Sequence, residues 1–321
     1  MTWLITGGAG YIGAHVVAAF EDAGLETVVM DSLASGHADF VPGDVPLVLG
    51  DIRDTDLLRR AMRERRVEGV VHLAAFKYAR VSVERPLHTY QQNVVGTVSL
   101  LEAMEKEGVG ALVFSSSSAV YGTPDVHVVD ESTPVRPESP YAESKLVGER
   151  LVRDQARVNG LRHTSLRYFN VVGSGAPSVL DTSPHNLFPL VLDALEAGRP
   201  PRIFGDDYPT PDGTCVRDYV HVADIAASHV TAAVSLASGA SLDPVYNLGS
   251  GTGASVRQIM DAFAQVTGIE FEPEVAPRRP GDPAWIVASG ETAARDLGWT
   301  MRYSLTQMVQ SACSARSSLV A

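Results

Sequence analysis

The chain is short of cysteine, of positive charge and of long apolar runs. Among 321 residues only Cys215 and Cys313 are cysteine. Two thiols so far apart do not suggest a disulfide framework, two free thiols are the expectation, and neither stands at metal-ligand spacing, so no metal site is expected. Lys and Arg number 26 against 38 Asp and Glu, a formal charge of −12. That balance argues against nucleic acid or an anionic membrane as the main partner. It does not exclude an anionic small molecule, because a few cations dominate a cleft locally. No apolar run approaches the roughly 20 residues of a membrane span. The opening MTWLITGGAGYIG lacks a charged region followed by an apolar one, as a secretion signal requires. A cytoplasmic location is the expectation. With 45% hydrophobic and 20% charged residues, the composition is that of a globular chain with a sizeable core and two lobes.

What is present is a rhythm. Short apolar runs at Thr2–Thr6, Thr27–Asp31, Pro46–Asp51, Gly69–Ala75 and Ala111–Ser117 alternate with helical patterns over Tyr11–Ala23, Thr55–Arg65 and Leu87–Glu107. A helix follows Pro140, and His163–Asn170 reads as another strand. Such alternation predicts an α/β fold, a doubly wound parallel sheet of Rossmann type. After Asn170 the rhythm breaks into Pro- and Gly-rich loops, with helices expected over 186–197, 224–237, 255–267 and 304–315. This half predicts a smaller α+β substrate lobe. The expected division is a nucleotide-binding domain over 1–170 and a substrate-binding lobe over 171–321. A segment near 216–250 returns to the first domain, with Val245–Gly249 as its strand.

TGGAGYIG follows the first strand and opens a helix. Gly8, Gly10 and Gly13 satisfy the dinucleotide fingerprint, and Gly7 extends it. Glycines there let the backbone turn sharply and approach a pyrophosphate at a helix N-terminus. Asp31 ends the second strand, where a carboxylate accepts hydrogen bonds from ribose hydroxyls and repels a 2′-phosphate. NAD is thus favoured over NADP. Asp51 and Ile52 flank the adenine in this reading, although Asp51 equally suits a helix N-cap.

SPYAESK places Tyr141 and Lys145 one helical turn apart on one face, with Ser139 suited to the N-cap and Pro140 to the first helical position. A phenol near a positive helix end and an ammonium is easier to ionise. The fifth strand ends in Ser115–Ser118, so serine, tyrosine and lysine can converge on one nicotinamide.

With Tyr-x-x-x-Lys at Tyr141 and Lys145, the chain resembles the extended short-chain dehydrogenase/reductase family. TGGAGYIGAH, AAFKYARVSVERPLHTYQQNVVGT, FSSSSAVYG, SPYAESK, LRYFNVVG, NLFP, IFGDDYPTPDGTCVRDYVHVAD, YNLGSGTG and PRRPGDPAW together resemble the UDP-glucose 4-epimerases, in order and along nearly the whole chain. The resemblance implies an isomerase that inverts C4 of a UDP-hexose through a 4-keto intermediate, with NAD held throughout, in a homodimer. It implies Tyr141 as acid/base, Lys145 as ribose ligand that holds down the tyrosine pKa, and Ser117 as partner of the sugar hydroxyl. It further implies an NAD site of Gly7, Gly10, Tyr11, Ile12, Gly13, Asp31, Ser32, Leu33, Ala34, Ser35, Gly36, Asp51, Ile52, Leu73, Ala74, Ala75, Phe76, Lys77, Asn93, Ser115, Tyr141, Lys145 and Phe169. For the UDP part it implies Asn170, Asn186, Leu187, Ile203, Phe204, Arg217, Arg279 and Asp282.

Blander readings stand beside these. Arg217 and Asp218 suit an ion pair, Asp218 a structural role, Asp224 an N-cap, and His72 and His221 packed positions. Arg80 and Val81 depart from the Gly-Glu usual in the epimerases, and Ala75 replaces a frequent glycine. The segment GDPAW is shortened and brings Trp285 near the hexose, where its bulk opposes an N-acetyl group. Dehydration of the sugar needs an Asp-Glu pair where this chain has Ser118 and Ala119. An epimerase for another nucleotide sugar (an N-acetylhexosamine or a glucuronate, for which Arg80 matters) and a non-catalytic NAD-binding regulator stay as alternatives.

Overall fold

The computed structural model describes residues 1–279 and 282–317. Its centre is a seven-stranded parallel sheet of β1 (Thr2–Thr6), β2 (Glu26–Asp31), β3 (Leu47–Leu49), β4 (Val67–His72), β5 (Ala111–Ser115), β6 (Arg162–Tyr168) and β7 (Val245–Leu248). Their order is β7-β6-β5-β4-β1-β2-β3. The strands are apolar throughout because helices cover both faces. Successive residues of β1 serve opposite faces. Trp3 and Ile5 pack with Val16, Val17 and Phe20, whereas Leu4 packs with Leu58, Met62, Leu100 and Met104. The Trp3 and Phe20 rings meet edge to face at 5.9 Å. The order reverses between β1 and β4, which opens a crevice at their carboxyl ends.

The expected returning strand is β7. It pairs with β6 in parallel, Val245 opposite Ser165 and Leu248 opposite Tyr168. The strand expected over 163–170 leaves this sheet after Tyr168, and Asn170–Val172 pairs instead with Tyr219–His221. Beyond that point Phe188, Ile203, Tyr219, Ile259, Met260 and Phe263 form a separate core. No helix among the described residues is long and apolar enough to cross a membrane.

Two helical expectations change. The single helix expected over 87–107 is three pieces: Pro86–Tyr90, a wider π-turn over Gln91–Val95, and Gly96–Glu107. Such bulges favour functional sites, and this one contains buried Asn93. The Asn93 side chain accepts from Phe76 N at 2.7 Å and donates to Phe76 O at 3.0 Å and Ser144 Oγ at 2.8 Å. Asp224 is not an N-cap. The helix starts at Val222, His221 accepts from Ala223 N, and buried Asp224 accepts from Arg302 Nε at 2.6 Å.

Asp218 is not paired with Arg217. Its fully buried carboxylate accepts from Ser250 N at 3.0 Å and Ala288 N at 2.9 Å, tying the loop after β7 to strand Trp285–Ala288. Burial outweighs these bonds and raises its pKa to about 6. The folded state therefore holds this proton more tightly than an unfolded chain, whose aspartates ionise near pH ~4. The associated stability is complete below pH ~4 and is lost as pH rises through about 6, on the order of 3 kcal/mol. Denaturant unfolding of wild type and Asp218→Asn between pH 4 and 7 should show the wild-type advantage shrinking across that window. A constant difference would contradict the assigned proton.

Candidate active site

The glycine loop sits at the carboxyl end of β1 and faces the crevice. Gly7 adopts φ +75°, and a Cβ on it would lie 2.7 Å from Ala74 N at the end of β4. A Cβ on Gly13 would lie 2.1 Å from Gly7 O. Both approaches are backbone against backbone, so no side chain fits. Asp31 clasps the loop: one oxygen accepts from Ala9 N at 3.0 Å, the other from Leu33 N at 2.8 Å. Asp51 is paired with Arg53, its Oδ2 2.7 Å from Nη2, and Asp54 caps the next helix instead. Backbone donors at a helix start, a carboxylate one strand away and a cleft of about 2100 Å³ beside them fit a dinucleotide.

The helix that carries Tyr141 and Lys145 spans Pro140–Asn159. Ser139 caps it by accepting from Ala142 N at 3.2 Å. Ser82 Oγ accepts from Tyr141 N at 3.1 Å, fixing the first turn. Buried Lys145 donates from Nζ to Ser115 O at 2.7 Å and lies 5.4 Å from the Phe114 ring centroid. Burial lowers its pKa to about 8, and the Glu149 charge opposes that fall. Burial raises the Tyr141 phenol above its usual value, and a hydrogen bond with the Ser117 side chain lowers it. Among the protein's side chains around this phenol, Ser117 is the one that opposes the effect of burial. The lysine is turned toward the strand end. Ser115 Oγ is hydrogen-bonded to the Tyr168 hydroxyl, and burial raises that phenol too.

The far end of the cleft is cationic. Arg217 is mostly buried, 3.7 Å from Asp282 Oδ1, and its Nη1 donates to Val216 O at 2.9 Å. The Arg279 guanidinium lies 3.8 Å from the Phe204 ring centroid. Asn186 Nδ2 donates to Asp181 Oδ2 at 2.6 Å, and Asn170 Nδ2 to Asp218 O at 2.9 Å. Two guanidinium forks at one end suit diphosphate oxygens.

Nearly all residues expected from the sequence line this one cleft. Three do not. Asn93 is buried beneath it, its amide engaged by Phe76 and Ser144. Ile203, 1% exposed, faces the second core, because its neighbour Phe204 takes the opposite face of the strand. Leu33, at φ +56°, contributes its N–H to Asp31 rather than a side chain to the wall. Trp285 also does not line the cleft: it stacks on His127 at 5.3 Å. Of the segment PRRPGDPAW, Pro280 and Gly281 lie outside the described residues. The wall also includes Tyr78, Arg80, Tyr168, Asp181 and His185. Tyr168 was within reach, standing beside Phe169 at a strand end. Arg80 had already been singled out as a departure, and Tyr78, Asp181 and His185 sit on loops without periodic signal.

A model of the NAD dependent epimerase/dehydratase family matches residues 3–249. The chain belongs to that family. A UDP-glucose 4-epimerase of Azospirillum brasilense is 42% identical to this epimerase/dehydratase chain, over 98% of it and 92% of the relative. A crystal structure of UDP-glucose 4-epimerase from Stenotrophomonas maltophila, with bound NAD and formylated UDP-arabinopyranose, has a TM-score of 0.94 at 38% identity and covers 100% of both chains. Another from Bifidobacterium longum, in complex with NAD+ and UDP, has a TM-score of 0.89 at 32% identity, covering 99% of this chain and 98% of that one. Within this family's chemistry, Ser118 and Ala119 both line the cleft and neither is an acid. The proton-transfer pair that dehydration needs is missing at those two positions.

The crowding at Gly13 gives a direct check. Gly13→Ala should keep its circular dichroism spectrum and lose at least roughly tenfold in dinucleotide affinity, read by titration with NAD. Unchanged affinity would contradict the cradle.

Proposed function

We propose that this protein is a UDP-glucose/UDP-galactose 4-epimerase that keeps NAD bound through turnover. One observation carries the reading. Tyr141, Ser117 and Lys145 gather at one end of a cleft whose other end holds Arg217 and Arg279. The near full-length likeness to UDP-glucose 4-epimerases supports it.

In this reading Gly7, Gly10, Gly13 and Asp31 hold the dinucleotide, and Lys145 binds its nicotinamide ribose. NAD, when bound, supplies an acceptor for hydride from C4 and a donor for its return. Tyr141 takes the proton of the C4 hydroxyl and later gives it back. Ser117 hydrogen-bonds the same sugar oxygen. An ordinary phenol titrates near ~10, too high for a base at neutral pH. Burial raises this phenol further; Ser117 opposes that rise, and the positive charge of an oxidised nicotinamide, when bound, would act in the same direction as Ser117. Arg217 and Arg279 hold the diphosphate, while Phe204, Asn186 and Leu187 flank the uridine. Firm grip on UDP with a loose grip on the hexose lets the 4-keto sugar present its other face. No net oxidation results. A homodimer in the cytoplasm belongs to the same proposal, supported by the resemblance to this family.

A coupled assay on UDP-galactose tests the roles. Tyr141→Phe should retain fold and NAD content while losing about 10²–10⁴ in kcat. Near-wild-type conversion would refute the acid/base role. Arg217→Ala should raise KM for the UDP-sugar with kcat changed far less, and an unchanged KM would remove it from the diphosphate site.

A further inference from the structure

The catalytic helix carries a third group on the face of Tyr141 and Lys145. Glu149 is one turn beyond Lys145 and is directed away from the cleft. Its carboxylate is almost wholly buried, with 7% of the side chain exposed, against an equally buried Arg167 from β6. The pair is bidentate: Arg167 Nε donates to Oε1 at 2.8 Å and Nη2 to Oε2 at 2.6 Å. Oε1 also accepts from Ser116 Oγ at 2.5 Å. Ser116 is the residue between Ser115, whose carbonyl holds Lys145, and Ser117, whose hydroxyl bonds Tyr141. Arg167 Nη1 donates onward to Tyr121 Oη at 2.9 Å, and Tyr121 donates to Asn247 Oδ1 on β7 at 2.8 Å.

The helix reaches this depth through a glycine. A Cβ at Gly148 would lie 2.4 Å from Phe114 Cζ. Glycine costs a helix interior about 1 kcal/mol relative to alanine, and here it lets the helix lie directly on β5. A buried ion pair is weak evidence for stability in itself. This one is instead placed where three elements that carry the chemistry meet.

We propose that Glu149 and Arg167, neither of which lines the cleft, are positioning residues for the reaction, acting through Ser116 on the Ser115–Ser117 strand end and through space on the Lys145 ammonium. The proposal rests on the epimerase reading above. Titratable groups around Lys145 are Tyr141 and Glu149 on its own helix, His72 from β4, and Tyr168 and Arg167 from β6. Burial holds His72 neutral, down at about 3, and both tyrosines protonated. Arg167 is cationic and stays so. Glu149 is therefore the anion that favours the charged lysine, and Arg167 locks its orientation. With the anion removed, Lys145 faces burial and an unpaired guanidinium together. Its proton should then leave at lower pH.

The chain has only three lysines, Lys77, Lys106 and Lys145. Each ε-carbon can therefore be followed by carbon-13 NMR and assigned with Lys77→Arg and Lys106→Arg variants. The isosteric Glu149→Gln should lower the Lys145 midpoint by about one unit, a tenfold loss of proton affinity. Glu149→Asp, which disturbs packing more but keeps the charge, should stay nearer wild type. The double variant Glu149→Met with Arg167→Met leaves neither member of the pair buried without its partner, and should fold and still lower the midpoint. In the UDP-galactose assay, Glu149→Gln should lose kcat at least tenfold above neutral pH, with KM within about twofold. An unmoved Lys145 midpoint in Glu149→Gln, or in the double variant should the single one not fold, would overturn the proposal. So would a loss in Glu149→Asp equal to that in Glu149→Gln, which marks a packing effect. The NMR titration uses no substrate or cofactor. An inactive wild type would therefore reject the epimerase reading, while the lysine midpoint still decides whether Glu149 sets the charge.

Discussion

The contact between the Pro140–Asn159 helix and the end of β5 is the constraint on which the rest depends. Gly148 against Phe114 sets the separation, and the Lys145 ammonium on the Ser115 carbonyl sets the register. Given both, Tyr141 is delivered to Ser117 without any loop having to be ordered around it. Ser139 and Ser82 fix the first turn from the other side. Catalytic side chains on a capped helix and a strand end are held more closely than loop residues. Proton transfer needs that closeness, because it works only at hydrogen-bonding range.

The cleft is chemically lopsided, and the lopsidedness follows from where its walls come from. One end is built by the parallel sheet, whose strand ends present backbone donors, hydroxyls and one buried ammonium. The other is built by the second lobe, with arginines at a strand and a loop around Phe204. The formal charge of −12 does not predict that second end; local cations do. Strong ionic contacts on a diphosphate and sparse ones on a sugar permit a bound ligand to turn about its linkage without leaving. Asp218 adds a structural tie beneath Arg217, holding the strand that carries it to the neighbouring loop through backbone N–H groups.

Much of this was legible in the residues. The parallel sheet followed from apolar runs at βα spacing, and the returning strand at Val245–Leu248 from a single apolar run flanked by turn residues. The glycine cradle and Tyr141–Lys145 pair were legible because their spacing is set by backbone geometry. The placements that the residues did not announce share a cause. Asn93 was assigned to the cofactor by resemblance, and only a π-turn, invisible to helical periodicity, shows it engaged beneath the cleft. Ile203 and Phe204 are neighbours on a three-residue strand, too short for alternation to say which faces inward. Trp285 was misplaced because its partner His127 is remote in sequence. The same holds for Lys145: its amine donates to the Ser115 carbonyl, and no spacing rule announces a carbonyl acceptor on another element.

The central claim is that hydrogen leaves C4 of the sugar and returns to the same carbon while Tyr141 moves only the proton. UDP-galactose carrying deuterium at C4, converted in ordinary water and analysed by NMR and mass spectrometry, tests it directly. The account predicts UDP-glucose with the deuterium still at C4 and none lost to solvent. Washout of the label into water during conversion would contradict it.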